Sequence, residues 1–287
     1  QPQFAHRADD SAHFDLVSSS LSSLSRSLDC AETYSLALHD SYSAQPAEVH
    51  SSIVSYQGRP TLGAFQFTGS IDAMHASAAQ ARGLDDFGDP SYRAALEMLC
   101  RSLDEDASLT PIGEFALQAM IGDALQARLL CEAGHHQFPE ARSHQVTRPL
   151  VIIGLPRTGT TALHHLIAQD PKIQALEHWL ERAPKPRPSR DAWSSDEDFL
   201  ASAERVRMIF DRSPEMKAIH EIEAHLPDEC WNLFAQNFAH SSYEANAHVP
   251  SYASWWASCD MTPVYRRHLR NVQLIGHREP EKRWLFK

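Results

Sequence analysis

RPLVIIGLPRTGTT, Arg148 to Thr161, is the stretch that decides the fold. Leu150, Val151, Ile152 and Ile153 are four branched apolar residues ending on a glycine, and they read as a strand buried on both faces of a parallel sheet. Beyond the loop, Ala162, Leu163, Leu166 and Ile167 recur at helical spacing until Asp170 and Pro171 close the run. Strand, glycine-containing loop and helix make the opening half of a βαβ unit, which predicts an α/β fold.

The loop itself carries chemistry. Gly154 and Gly159 stand at the spacing of a nucleotide-phosphate loop, with Thr160 and Thr161 directly after. Glycines let backbone amides turn inward around an anion, and the helix that starts near Thr160 aims its positive end and unpaired amides at the same point. Thr158, Thr160 and Thr161 add hydroxyls, and Arg157 adds a fixed, forked cation. A loop that hydrolyses ATP or GTP places Lys after the second glycine. Here Thr160 holds that place and the cation sits inside the loop at Arg157. Such an arrangement suits one 5′-phosphate and its substituent better than a triphosphate with magnesium.

Outward from this unit the chain is mostly helical. Upstream, GLDDFGDPSY (Gly83 to Tyr92) is a turn leading into a helix with Tyr92, Leu96, Leu99 and Leu103 on one face. Thr110 and Pro111 predict a helix start, and Gly134 its stop. Downstream, helices are expected over 197–213, 230–239 and 263–274, and Trp284 to Phe286 begins a second apolar strand. Residues 1–78 form a separate N-terminal segment of unassigned role, with a hairpin expected over His50–Tyr56 and Leu62–Thr68. Residues 79–287 form the main domain.

Composition narrows the function. Of 287 residues, 43% are hydrophobic and 22% charged, as in ordinary globular proteins. A formal charge of −11 repels nucleic-acid backbones, and the basic residues between Arg182 and Arg190 are interleaved with prolines and followed by acids. No nucleic-acid partner is expected. Five widely spaced cysteines without a Cys-x-x-Cys pair suit free thiols in a reducing compartment. No apolar run reaches the roughly 18 residues of a membrane span, and no cleavable leader opens the chain, so the expectation is a cytoplasmic protein. His220 and His225 lie five apart, off a common helix face, and no metal is expected.

PRTGTT (Pro156 to Thr161), with Leu163, Leu166, Gln169, Asp170 and Pro171 behind it, resembles the 5′-phosphosulfate-binding segment of bacterial sulfotransferases. So do GLDDFGDPSY, PDEC (Pro227 to Cys230), VPSYASWW (Val249 to Trp256), TPVYRRHLR (Thr262 to Arg270) and PEKRWLFK (Pro280 to Lys287), in order from about residue 80 to the end. The resemblance implies a P-loop-like parallel sheet with long helical insertions. It also implies transfer of a sulfuryl group from 3′-phosphoadenosine 5′-phosphosulfate (PAPS) to a hydroxyl or amine of a small-molecule acceptor. Pro156, Arg157, Thr158, Gly159, Thr160 and Thr161 would hold the donor, and Lys287 matches the strand-end lysine near the sulfuryl group. Related enzymes carry a carboxylate about twenty residues beyond the loop arginine. Glu177, His178 and Glu181 stand there around Trp179, with Leu180 where the family pattern has Glu directly after Trp. The candidate catalytic set is therefore Arg157, Lys287, Glu177 and Glu181. Glu229 reads either as an acceptor-side carboxylate or as a helix N-terminal charge. Tyr243 to Trp256 reads as core packing ahead of an acceptor pocket. The family's 3′-phosphate residues would follow Lys287, so the expectation is a C-terminally incomplete sheet, inactive by itself. A phosphate-loop small-molecule kinase and a non-catalytic nucleotide-binding remnant stay open as alternatives.

Overall fold

Three short parallel strands meet in the order β1–β3–β2: β1 (Leu150–Val151), β2 (Ile173–Ala175) and β3 (Arg283–Phe286). They belong to a computed structural model that describes residues 65–155, 158–219 and 221–287. The expected hairpin lies almost wholly outside these residues. Its described end, Phe65 to Thr68, leads into a 3-10 turn at Thr68–Ser70, with Phe67 buried.

Helices make up most of the rest. Upstream of the sheet are α1 (Ile71–Arg82), α2 (Tyr92–Glu105) and α3 (Pro111–Gln137). The helix α4 (Thr160–Ile167) joins β1 to β2. Between β2 and β3 come α5 (His178–Arg182), α6 (Glu197–Arg212), α7 (Met216–Ile219), α8 (Trp231–Ala235), α9 (Ser241–Glu244), α10 (Pro250–Trp256) and α11 (Thr262–Ile275). The fold is thus α/β with a small parallel sheet and long helical insertions. The helix α1 runs across the boundary between residues 78 and 79, and Met74 and Ala78 pack into the helical core.

Caps follow the residue chemistry. Thr110 accepts a hydrogen bond from the Gly113 amide at 3.1 Å with Pro111 in the first turn, and Asp196 caps α6. Gly134, however, does not stop α3, which runs on to Gln137. A Cβ at Gly134 would lie 2.5 Å from a Leu274 methyl, so the glycine serves the close approach of α3 and α11. The helix expected over 230–239 is only Trp231–Ala235, because the chain turns at Phe238 with φ 57°.

Strand β1 also departs from expectation. Val151 is 41% and Ile153 54% exposed, so this run is not buried on both faces. Among the described residues β1 pairs only with β3, through Leu150 with Leu285 and Val151 with Phe286. The buried central strand is β3: Leu285 is fully buried, and Trp284 packs with Leu176, Trp179, Leu180, Leu233, Val272 and Ile275. A larger core among α1, α2, α3 and α10 holds Tyr92, Leu96, Leu99, Ile121, Tyr243 and Tyr252. Tyr243 and Tyr252 are wholly buried there, as core packing requires.

Candidate functional site

Parallel register brings the carboxyl ends of all three strands to one side, where open α/β sheets bind ligands. The Ile152 amide donates to the Phe286 carbonyl at 2.8 Å, so the chain leaving β3 at Lys287 lies beside the chain entering the loop at Gly154. Lys287 consequently reaches α4, where its Nζ donates to Thr161 Oγ1 at 2.8 Å.

Both loop glycines have a physical reason. Gly159 caps α4 at φ 91°, in the left-handed region that side chains other than glycine enter only at a cost. A Cβ on Gly154 would stand 2.8 Å from the Thr160 methyl, so the two ends of the loop close only around a glycine. Thr158 Oγ1 donates to the Leu155 carbonyl at 2.6 Å and tightens the turn. The first helical bond runs from the Leu163 amide to the Gly159 carbonyl, leaving the first-turn amides without helical partners at the loop, where an anion could be received. Pro156 and Arg157 lie outside the described residues.

Carboxylates arrive from a distant segment. Pro227 bridges Glu177 in antiparallel fashion, the His178 amide donates to Leu226 O, and the Asp228 amide donates to Leu176 O. These bonds lay PDEC against the end of β2. Glu229 then meets Lys287 at 2.9 Å, while its other oxygen accepts from Trp231 Nε1 at 2.5 Å. Asp228 accepts the Glu229 amide at 2.7 Å and contacts His178 Nδ1 at 2.8 Å. Glu181 contacts the same nitrogen at 3.0 Å. Thr161, Lys287, Glu229, Asp228, His178 and Glu181 therefore form one connected polar set.

Other residues predicted for the site sit elsewhere. Glu177 pairs with Arg187 at 2.9 Å; that guanidinium also holds Glu279, Gln174 and the Ala175 carbonyl under Trp284. The basic residues of 182–187 are thus spent on internal pairs, Arg182 with Asp123 and Lys185 with Asp196 and Asp198. His225 pairs with Glu223 at 3.3 Å, and His220 lies outside the described residues. Asp228, a sequence candidate beside Glu229, joins the connected polar set, whereas the sequence reading missed His164. His164, on α4, is 1% exposed; burial and then the charge of Lys287 push its imidazole down to about 4, leaving it neutral. Only the adjacent His164-His165 pair behind the loop could have flagged it.

The His178 cluster titrates in the opposite direction. Burial alone would lower its pKa, but the hydrogen bonds to Asp228 and Glu181 prevail and raise it from 6.5 to about 9. The ligand atoms of His178, Glu181 and Asp228 lie within 4.8 Å of one another, close enough together to hold a metal ion. A raised folded-state pKa stabilises the fold fully below pH 6.5, and that stabilisation is lost as pH rises through about 9. Urea unfolding at pH 6 and pH 9.5 should differ by about 3 kcal/mol from this group. His178→Gln should flatten the slope; an unchanged slope in that variant would contradict the assignment.

The fold and this loop define an α/β protein with a glycine-bounded loop at the carboxyl edge of a parallel sheet. A sequence model of the Sulfotransferase family matches residues 149–277. Two solved structures share the fold. Sulfotransferase STF1 from Mycobacterium tuberculosis H37Rv is 41% identical with a TM-score of 0.71, over 78% of this chain and 62% of that one. Sulfotransferase STF9 from Mycobacterium avium is 28% identical with a TM-score of 0.68, over 79% of this chain and 58% of that one. The chain thus spans about three fifths of the length of each. No curated protein matches it. These matches support a sulfotransferase-family protein. No described helix is long and apolar enough to cross a membrane.

Proposed function

We propose that the protein transfers a sulfuryl group from PAPS to a hydroxyl or amine of a small-molecule acceptor. The contact of Lys287 with Thr161 carries this reading, because it sets a cation against the first turn of the helix behind the loop. The loop, with Arg157 inside it, would cradle the 5′-phosphate. In sulfuryl transfer the S–O bond to the phosphate breaks as the acceptor oxygen or nitrogen bonds to sulfur, and negative charge builds on the leaving phosphate oxygen. A preplaced ammonium stabilises that charge.

The acceptor must also lose a proton. Glu229 is the carboxylate on Lys287, and its side chain keeps 30% of its surface in contact with solvent. When Lys287 turns to the bound phosphosulfate, Glu229 is released to take that proton at Oε1. His178, holding Asp228 and Glu181, fixes the segment that carries Glu229. Glu181 is 3% exposed and tied to the imidazolium, and Glu177 is tied to Arg187, so both fit support better than proton transfer.

Incubation of the full-length protein with ³⁵S-labelled PAPS and a panel of phenols, alcohols and amines, without added metal, tests the reading. Labelled acceptor is the expected result. Phosphorylation of the same panel from ATP and magnesium, with no sulfation, would replace this reading by that of a kinase.

A further inference from the structure

We propose that Trp231 is the acceptor platform of the site: its ring carries a planar aromatic hydroxyl, a phenol, with the hydroxyl set against Glu229. This rests on the sulfotransferase reading and names the acceptor class within it. Trp231 opens α8, two residues past Glu229. It is 43% exposed, whereas Trp179, Trp193 and Trp284 are buried. Its Nε1 donates to one oxygen of Glu229 at 2.5 Å, and Lys287 meets the other oxygen at 2.9 Å. A single carboxylate thus ties an open indole to the cation at the end of β3.

Three features argue for a flat, neutral aromatic guest. The indole is held in place, by Glu229 through its N–H and by His240 through an edge contact with ring centres 5.3 Å apart. A run of rings backs it: His240 stacks on Phe234 at 5.7 Å, and Phe234 on His268 at 4.4 Å. A ring that is already fixed and still open offers contact area at little further cost in side-chain freedom. Charge is the second feature. Lys287 lies on the same carboxylate, so a protonated alkylamine would meet a like charge there and a neutral hydroxyl would not. Acidity is the third. A phenol gives up its proton with a pKa of about 10, a hydroxyl on saturated carbon closer to the roughly 16 of water, and a carboxylate is a weak base.

The transfer balances with these parts. The phenol oxygen bonds to sulfur as the S–O bond to the 5′-phosphate breaks, its proton passes to Oε1 of Glu229, and the electron pair of the broken bond stays on the phosphate oxygen. The products are an aryl sulfate and adenosine 3′,5′-bisphosphate. Trp231 takes no part in the bond changes; it selects which hydroxyl arrives at Glu229.

The test compares 2-naphthol, phenol and cyclohexanol as acceptors at saturating PAPS, using the full-length protein, its Trp231→Leu variant and its Trp231→Phe variant. In the parent, kcat/KM for 2-naphthol should exceed that for cyclohexanol at least tenfold, with phenol between them. Trp231→Leu should raise KM for 2-naphthol about tenfold, Trp231→Phe should restore most of the loss because a ring remains, and neither should move KM for cyclohexanol. A general structural defect would instead impair all three acceptors alike. Equal use of 2-naphthol and cyclohexanol by the parent overturns the proposal, as does a KM for 2-naphthol that Trp231→Leu leaves within twofold of the parent. Those results leave the sulfotransferase reading standing. A parent that binds no adenosine 3′,5′-bisphosphate overturns that reading, and this proposal with it.

Discussion

Lys287→Met should lower sulfuryl transfer by about 10²–10³-fold, the usual cost of deleting one preorganised donor to a developing oxyanion. The side chain is 9% exposed and is held from two sides, by Thr161 at 2.8 Å and Glu229 at 2.9 Å. The loss should fall mainly on kcat, because the cradle amides still bind the donor in its ground state. Methionine keeps the stem packed but leaves Glu229 without its cation. A thermal melt of Lys287→Met close to that of the parent, measured beside the kinetics, separates an electrostatic from a structural cause. Steady-state kinetics with Lys287→Met within threefold of the parent would contradict the role.

The largest effect on stability should come from Glu132→Ala, at about 3–5 kcal/mol, the range for breaking one partner out of a buried ion pair. Glu132 is 5% exposed on α3 and binds Arg267 and, at 2.5 Å, Arg270, both on α11. Arg267 also donates to Gln236 at 2.8 Å and to the Arg128 carbonyl at 3.0 Å. Arg128, itself 2% exposed, sends hydrogen bonds to Phe87 O, Asp89 O, Gln236 O and Asn237, and lies 3.8 Å above the Tyr92 ring. Burial and the neighbouring Arg267 push the Arg128 guanidinium down to about 9, so it and Arg267 are both charged at neutral pH. Deleting Glu132 thus leaves two buried cations with no carboxylate between them. For a chain of this size the loss corresponds to a fall of about 10 °C or more in Tm. Urea unfolding measures it directly; a change under 1 kcal/mol would show that water takes over the pairing.

How much of this was legible in the sequence depends on how local each signal is. The loop and the helix behind it were readable because Gly154, Gly159 and the apolar spacing of α4 act within about a dozen residues. Strand β3 was readable because Trp284, Leu285 and Phe286 form an apolar run with Lys287 at its end. The burial of β1 was misjudged, since four apolar residues look alike whether a strand has one neighbour or two. The carboxylates were the harder part. Glu229 reaches Lys287, and Asp228 reaches His178, only because Pro227 pairs with Glu177 across fifty residues of chain, and no periodicity reports such a bridge. Glu177 stood out by its position near Trp179, while its partner Arg187 looked like one more solvated cation in a proline-rich stretch. Gly134 carried the signal of a helix stop, whereas its real constraint is the Leu274 methyl of another helix.

The central claim is that the Gly154 to Thr161 loop grips a nucleotide phosphosulfate. Titration calorimetry with adenosine 3′,5′-bisphosphate, the desulfated donor, tests it most directly, run on the full-length protein and on its Arg157→Ala variant. The account predicts saturable binding by the parent, weakened at least tenfold in Arg157→Ala, with magnesium-ATP binding no better than either. Equal affinity of the two proteins for the bisphosphate, or tighter binding of magnesium-ATP by the parent, would contradict it.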